Sequence, residues 1–280
     1  TVADRNDIDF TTSTITGAFD LTAGGGVTDS GTLTITDDTN INASSGNVVL
    51  NEGTNDFQRA VKIVGVNVTL VDTNAIDLGA STVDGDYAVT AGGDVTDSGV
   101  LNITGASAFT AAGGQSILLD ESSTFTGVVA FSPSSGTLAG VSITDSTDFD
   151  LQALTLSGNL VVVSGGSITD SGALNITGAA TIDAGSNAVT LNNGNTFSGN
   201  LTLTSAALEL GATTVGGALS VTASGAVTDS GALAITGTSS FTTSTSNEDI
   251  TLNTTTNAFT EAVTLNTTGL TGNAEVDGGT

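Results

Sequence analysis

The chain has 280 residues, of which 29 are acidic and only three, Arg5, Arg59 and Lys62, are basic, for a formal charge of −26. Phosphate recognition needs clustered Lys or Arg, so nucleic acid is excluded as a partner, and anionic membranes with it; no run of about 18 apolar residues exists to span a bilayer. The absence of Cys and His removes disulfides, thiol nucleophiles, imidazole bases and the ordinary zinc or copper sites.

In chain order the apolar residues alternate with polar ones, the pattern of strands with one buried face. Ile8-Asp9-Phe10 comes first, then Phe19 and Leu21, then residues 27–31, which end in Thr-Asp-Ser-Gly. Leu33 and Ile35 follow, then Ile41, the pair Val48/Leu50, a lone Phe57, and the pair Val61/Ile63. Ile76-Asp77-Leu78 and Tyr87/Val89 complete the series, and residues 95–99 start it again with the same tetrapeptide. Further copies stand at residues 168–172 and 227–231, so the starts lie 68, 73 and 59 residues apart. No window has the spacing of a helix. A single unit used repeatedly is an array rather than a catalytic globule. The unit boundaries read as 1–31 (partial), 32–99, 100–172, 173–231 and 232–280 (partial) within one continuous solenoid spanning residues 1–280.

Each unit divides into about three stretches of 20–27 residues; in the first full unit these are 32–58, 59–79 and 80–99. Three short strands per stretch match one turn of a triangular parallel β-helix. About twelve turns are expected, three per unit, giving a rod of about 58 Å at the strand spacing. The stretch 199–211, only 13 residues, is too short for a full turn, so either one face loses a strand there or the boundary is misplaced. A string of immunoglobulin-like sandwiches is the structural rival, but that fold wants anchoring aromatics and linkers, and the chain has one Tyr and no Trp.

The expected inward core comprises Leu33, Ile35 and Phe57 in one unit, Leu101, Ile103 and Phe125 in the next, then Leu174, Ile176 and Phe197, then Leu233, Ile235 and Phe259. The four Phe should share one corner. Asp29, Asp97, Asp170 and Asp229, each two residues before Gly31, Gly99, Gly172 and Gly231, read as turn residues, Asp taking a local backbone bond and Gly a positive φ. The preceding glycines suggest a calcium nonapeptide, but successive Asp would lie about 14 Å apart at three turns per unit. The acids Asp9, Asp77, Asp150 and Glu209 sit between inward apolar residues and should face solvent as charges that discourage edge pairing. They are also the surface candidates for a cation such as calcium; no other cofactor is expected. Asp148 and Asp150 have a separation suited to an inverting glycosidase, but the pair occurs in one unit only. Outward Thr32, Thr34 and Thr36 suggest an ice-binding face, yet the equivalents of Thr34 are Asn102, Asn175 and Ala234, which breaks it. Seven Asn-x-Ser/Thr triplets are a chance expectation in so Asn- and Thr-rich a chain.

The phrases at residues 91–99 (AGGDVTDSG), 172–178 (GALNITG) and 187–192 (NAVTLN) resemble the repeats of filamentous-haemagglutinin-type bacterial exoproteins, giant surface proteins with β-strand repeats. The resemblance runs the length of the chain and rests on repeat style and composition. It implies a right-handed parallel β-helix, export to the cell surface or medium, and adhesive or matrix roles. The reading is therefore a structural or adhesive segment of an extracellular bacterial fibre, not an enzyme, with a glycan-binding or glycan-degrading β-helix as the alternative. Expected partners are the segment itself end to end, flanking repeats of a longer chain, or cell-surface glycans and proteins.

Overall fold

A computed structural model describes residues 1–278. The last two positions of the expected final partial unit lie outside the described residues. The chain forms two compact units, Thr1–Thr144 and Asp145–Thr280, and each is a parallel β-solenoid. Among the described residues there is no helix, hence none long and apolar enough to cross a membrane.

The second unit is the simpler. Its turns carry three strands each, and like strands stack in parallel into three sheets. Face one is seven-stranded and begins with Phe149–Leu151; face two is six-stranded and begins with Leu154–Leu156. Face three begins with Leu160–Ser164 and runs through Ala180–Asp183, Leu201–Ser205, Leu219–Ala223, Ser239–Ser246 and Val263–Thr268. Inward residues stack on inward residues: Ile176, Phe197, Val215, Ile235 and Phe259 form one interior column on face two. The strand pairs keep this register, apart from a shift after Thr242 on face three, because a slip of one residue would turn the apolar set outward.

The first unit also has a seven-stranded sheet, from Ile8–Phe10 to Val129–Pro133, and a three-stranded one, Ser13–Ile15, Leu33–Ile35 and Asp56–Phe57. Its third face begins Val2–Asp4, Phe19–Ala23, Thr39–Ala43, Val61–Gly65. At Val61–Gly65 the stack divides: Val61 pairs with Leu78, while Val64 and Gly65 pair with Thr82 and Val83. Two strand columns continue from there until Ser116–Phe125, a ten-residue strand that carries both around one corner.

One strand of a seven-stranded sheet marks one turn, so each unit holds about seven turns and the chain about fourteen rather than twelve. In the first unit the partners along that sheet are 19 to 22 residues apart, shorter than the 23 that twelve turns would require. The repeat is also not uniformly three turns. From Val27–Asp29 to Val95–Asp97 there are ten strands, and from Ile168–Asp170 to Val227–Asp229 there are nine. The missing strand is the counterpart of Val68–Asp72: between Leu201–Ser205 and Leu208–Leu210 only Ala206 and Ala207 remain. No face loses a strand there: all three ladders run unbroken through this region, and the expected boundary at 211 falls inside a complete turn made of Leu201–Ser205, Leu208–Leu210 and Thr213–Val215.

The cores are mainly aliphatic. Leu33, Ile35, Leu101, Ile103, Leu174, Ile176, Leu233 and Ile235 are buried, as are Phe57, Phe125 and Phe197. Each Phe stacks on the Ile of the Leu-x-Ile one turn earlier: Phe57 on Ile35, Phe125 on Ile103, Phe197 on Ile176, Phe259 on Ile235. Two expectations need correction. Phe259 is only half-buried, because its strand Ala258–Phe259 is the last of its sheet and nothing stacks beyond it. Phe57 and Phe125 do not share a corner: they belong to different sheets of the first unit, since ten strands separate like positions. Phe109 centres an aromatic cluster, with Tyr87, Phe125 and Phe131 rings at 5.9, 6.0 and 6.2 Å. Burial pushes the Tyr87 phenol far above its ordinary pKa, and the nearby Ser81 hydroxyl pulls it part of the way back.

Candidate functional site

The tetrapeptide Thr-Asp-Ser-Gly closes a short strand and leads into a corner, and its side chains point alternately out and in. The inward Asp is the centre of the most regular polar arrangement in the molecule. Asp29 accepts the backbone N–H of Asn51 (2.9 Å) and of Glu52 (3.3 Å), and its Oδ2 also accepts the Asn55 side-chain amide at 2.5 Å. Asn55 Oδ1 in turn accepts the N–H of Leu33 at 2.8 Å, back in the turn that Asp29 occupies. The result is a clasp between successive turns, from Asp to Asn and back to Leu.

The second unit repeats it twice. Asp170 accepts from the N–H groups of Asn192 (2.8 Å) and Asn193 (3.2 Å) and from Asn195 Nδ2 (2.7 Å), while Asn195 Oδ1 accepts from Leu174 N–H at 2.9 Å. Asp229 accepts from Asn253 (3.0 Å), Thr254 (3.3 Å) and Asn257 Nδ2 (2.6 Å), and Asn257 Oδ1 from Leu233 N–H at 2.8 Å. Asn55, Asn195 and Asn257 are all buried. Asp29 and Asp170 are buried and Asp229 half-buried; a carboxylate taken out of water is tolerable only when its oxygens are supplied with donors, and each of these receives three.

The remaining copy lacks one arm. Asp97 Oδ1 accepts from Asp120 N–H (2.9 Å) and Glu121 N–H (3.3 Å), but the Asn position is Ser123, whose Oγ serves Leu101 N–H at 2.9 Å. Asp97 Oδ2 is buried without a partner. Burial raises the Asp97 pKa to about 6; the two N–H groups oppose this, and the Glu121 and Asp120 charges add to it. Asp72 is likewise raised to about 6, chiefly by burial, with the N–H groups of Asn74 and Phe57 lowering it and the Asp56 charge raising it.

These contacts correct the expected roles of the tetrapeptide. The Asp does not bond its own turn; its partners lie 22 to 28 residues ahead. Gly31, Gly99, Gly172 and Gly231 do not adopt positive φ, which among the described glycines is confined to Gly17, Gly114, Gly136, Gly185 and Gly269. They are needed for close approach instead: a Cβ on any of them would fall on the backbone nitrogen of Thr12, Ala80, Ala153 or Ala212, stacked one turn earlier.

The outward Thr and Ser reach the other way. Thr28 and Ser30 donate to the two carboxylate oxygens of Asp9 at 3.1 and 2.7 Å, and Thr169 and Ser171 to those of Asp150 at 3.1 and 2.5 Å. Asp77 and Glu209 stand at the same place under Thr96 and Thr228, where the Thr hydroxyls donate to the backbone carbonyls of Ile76 and Leu208 instead. Asp9 is exposed, whereas Asp77, Asp150 and Glu209 are half-buried. Among the described residues no three carboxylates gather closely enough to hold a metal ion. Asp148 Oδ1 accepts the Ser167 N–H at 2.7 Å, so both members of the Asp148/Asp150 pair serve the next turn.

Corner residues extend the theme in the first unit. Asn47 Oδ1 accepts from Asn67 N–H, Asn67 Oδ1 from Asp86 N–H, and Asp86 Oδ1 from Ala106 N–H, at 3.1, 2.9 and 2.9 Å. The clasp Asn was missed in the sequence, although a signal existed: Asn stands two residues before Phe57, Phe197 and Phe259, and Ser two before Phe125.

A family described as repeats of unknown function (DUF5649) matches residues 1–64, 65–132, 139–204 and 198–266. No curated protein and no solved structure matches the chain.

Proposed function

The chain belongs to that family of repeats, and from this premise we propose that it is a structural segment of a secreted bacterial surface fibre, supplying length and stiffness rather than catalysis. One observation carries the reading. The most distinctive residues of the repeat, Thr-Asp-Ser-Gly and the later Asn, are engaged in joining one turn to the next. A sequence selected for a binding or catalytic site would be expected to keep its distinctive polar groups free for a ligand. The charge of −26 supports the same view, since like-charged solenoids resist side-to-side association. The fibre, the bacterial surface and an adhesive role facing glycans or proteins rest on the resemblance to filamentous-haemagglutinin-type exoproteins.

The test is a turnover assay on neutral and anionic polysaccharides, paired with a glycan-binding titration. The expected result is neither cleavage nor saturable binding at the Asp148/Asp150 edge. Cleavage abolished by Asp150→Asn would establish an enzyme and overturn the reading. Saturable binding without cleavage, lost in the same variant, would replace it with a ligand-binding module.

A further inference from the structure

Of all the asparagines in the chain, Asn193 alone is followed by glycine, and the pair stands in the turn that carries the Asp170 clasp. Asn193 donates its backbone N–H to the Asp170 carboxylate at 3.2 Å and its side-chain amide to the Asp170 carbonyl at 2.9 Å. Two residues on, Asn195 holds both Asp170 Oδ2 and the Leu174 N–H. Gly194, between them, is exposed. Its N–H donates no hydrogen bond among the described residues, and apart from its chain neighbours nothing lies within 4 Å of the place a Cβ would take. Gly85, which follows Asp84, is held differently: its nitrogen donates to the Val66 carbonyl at 2.7 Å, and a Cβ there would fall on the Asn67 side chain.

The side-chain carbonyl carbon of an asparagine is an electrophile for the amide nitrogen of the next residue. Attack is fastest when that residue is glycine, which has no Cβ to hinder the approach. It also needs a nitrogen free of other bonds, since an engaged N–H must first give up its acceptor. Gly194 meets both conditions. We propose that Asn193–Gly194 deamidates spontaneously and that the isoaspartyl product unfastens the Asp170 clasp. The Gly194 nitrogen loses its proton to hydroxide and forms a bond to Asn193 Cγ; the Cγ–Nδ2 bond breaks, and Nδ2 takes a proton from water and leaves as ammonia. One water then opens the cyclic imide, at Cγ to give aspartate or at the main-chain carbonyl to give isoaspartate.

The two products act differently on the stack. In the first unit the matching place is taken by acids, Glu52 and Glu121, whose N–H groups serve Asp29 and Asp97 as that of Asn193 serves Asp170. A carboxylate at position 193 therefore fits the turn and forfeits only the bond to the Asp170 carbonyl. Isoaspartate lengthens the main chain by one atom just ahead of Asn195. That side chain is buried between two fixed partners, so its displacement leaves Asp170 Oδ2 and the Leu174 N–H unserved together.

Incubation of the purified chain at rising pH, followed by peptide mass mapping and an isoaspartyl methyl-acceptor assay, tests the site. Conversion at position 193 should outpace that at every other asparagine by about tenfold, a ratio that needs only about 1.4 kcal/mol of barrier, and should quicken as pH rises because the attacking species is the deprotonated amide. Gly194→Ala, which the open space accommodates, should slow it by about tenfold, with circular dichroism to check that the variant folds. Hydrogen exchange at the Leu174 amide should quicken in the isoaspartyl fraction and stay slow in Asn193→Asp. Conversion at 193 no faster than elsewhere, or unchanged by Gly194→Ala, overturns the proposal. So does Leu174 protection that is the same in the isoaspartyl fraction as in fresh protein, or that falls equally in Asn193→Asp.

Discussion

Replacing Asn195 with Ala removes both arms of one clasp. The Asp170 carboxylate loses a donor at 2.7 Å and the Leu174 N–H loses its acceptor at 2.9 Å. A hydrogen bond to a charged group contributes about 1.5–3 kcal/mol, and a buried donor left unpaired costs about 1–3 kcal/mol. The combined loss should be about 3–5 kcal/mol. Asn195→Ser separates the two terms, because Ser123 shows that a hydroxyl at this position can still serve the Leu N–H; it should cost only the first, about 1.5–3 kcal/mol. Urea unfolding followed by circular dichroism gives the totals, with an m-value of about 1–3 kcal/mol/M setting the scale of the midpoint shift. A solenoid can lose turns locally, so hydrogen exchange at the Leu174 amide provides the site-specific reading. Protection there should fall in the Ala variant and persist in the Ser variant. A loss below about 1 kcal/mol for Ala, or equal Leu174 exchange in both variants, would refute the clasp as a determinant of stability.

The reverse substitution, Ser123→Asn, should supply the donor that Asp97 Oδ2 lacks and raise stability at pH 7 by about 1–2 kcal/mol, read from the same unfolding curve. Its pH dependence has a definite sign: the folded Asp97 pKa is raised from 3.8 to about 6, so its contribution is fully present below pH 4 and is lost as pH rises through 6. The Ser123→Asn gain should therefore be largest at pH 7 and shrink toward pH 4; a gain independent of pH would contradict the assignment. Phe197→Ala should cost about 3–5 kcal/mol, and Phe259→Ala clearly less because Phe259 is half-buried, so equal losses in thermal unfolding would show that the last turn packs as tightly as the interior ones.

Much of the architecture was legible because a parallel solenoid writes its inside and outside into a two-residue alternation. Leu174-Asn-Ile176 and Val189-Thr-Leu191 announce which side is buried without any knowledge of their neighbours. Turn number was less legible, since Gly, Ser and Thr fill corners and outward positions alike and do not mark where one turn ends. The clasp was hidden for a different reason. Asp170 and Asn195 are 25 residues apart, and only the pitch of the solenoid makes them neighbours; read locally, Asn195 in Asn-Asn-Gly-Asn is loop filler. The tetrapeptide glycines misled in the same way: a local reading assigns Gly172 to backbone conformation, whereas its requirement comes from Ala153 in the turn beneath.

The ten-strand and nine-strand repeats differ by a segment the size of Val68–Asp72, and on a three-sided coil that segment works as an azimuthal dial. Ten strands advance a feature by a third of a revolution, so the tetrapeptides at Val27–Asp29 and Val95–Asp97 look out from different sides of the first unit. Nine strands return it to the same bearing, and Ile168–Asp170 and Val227–Asp229 line up on one side of the second. Gaining or dropping one strand per repeat would thus steer any surface group carried by the family around the axis, with the interior left unchanged.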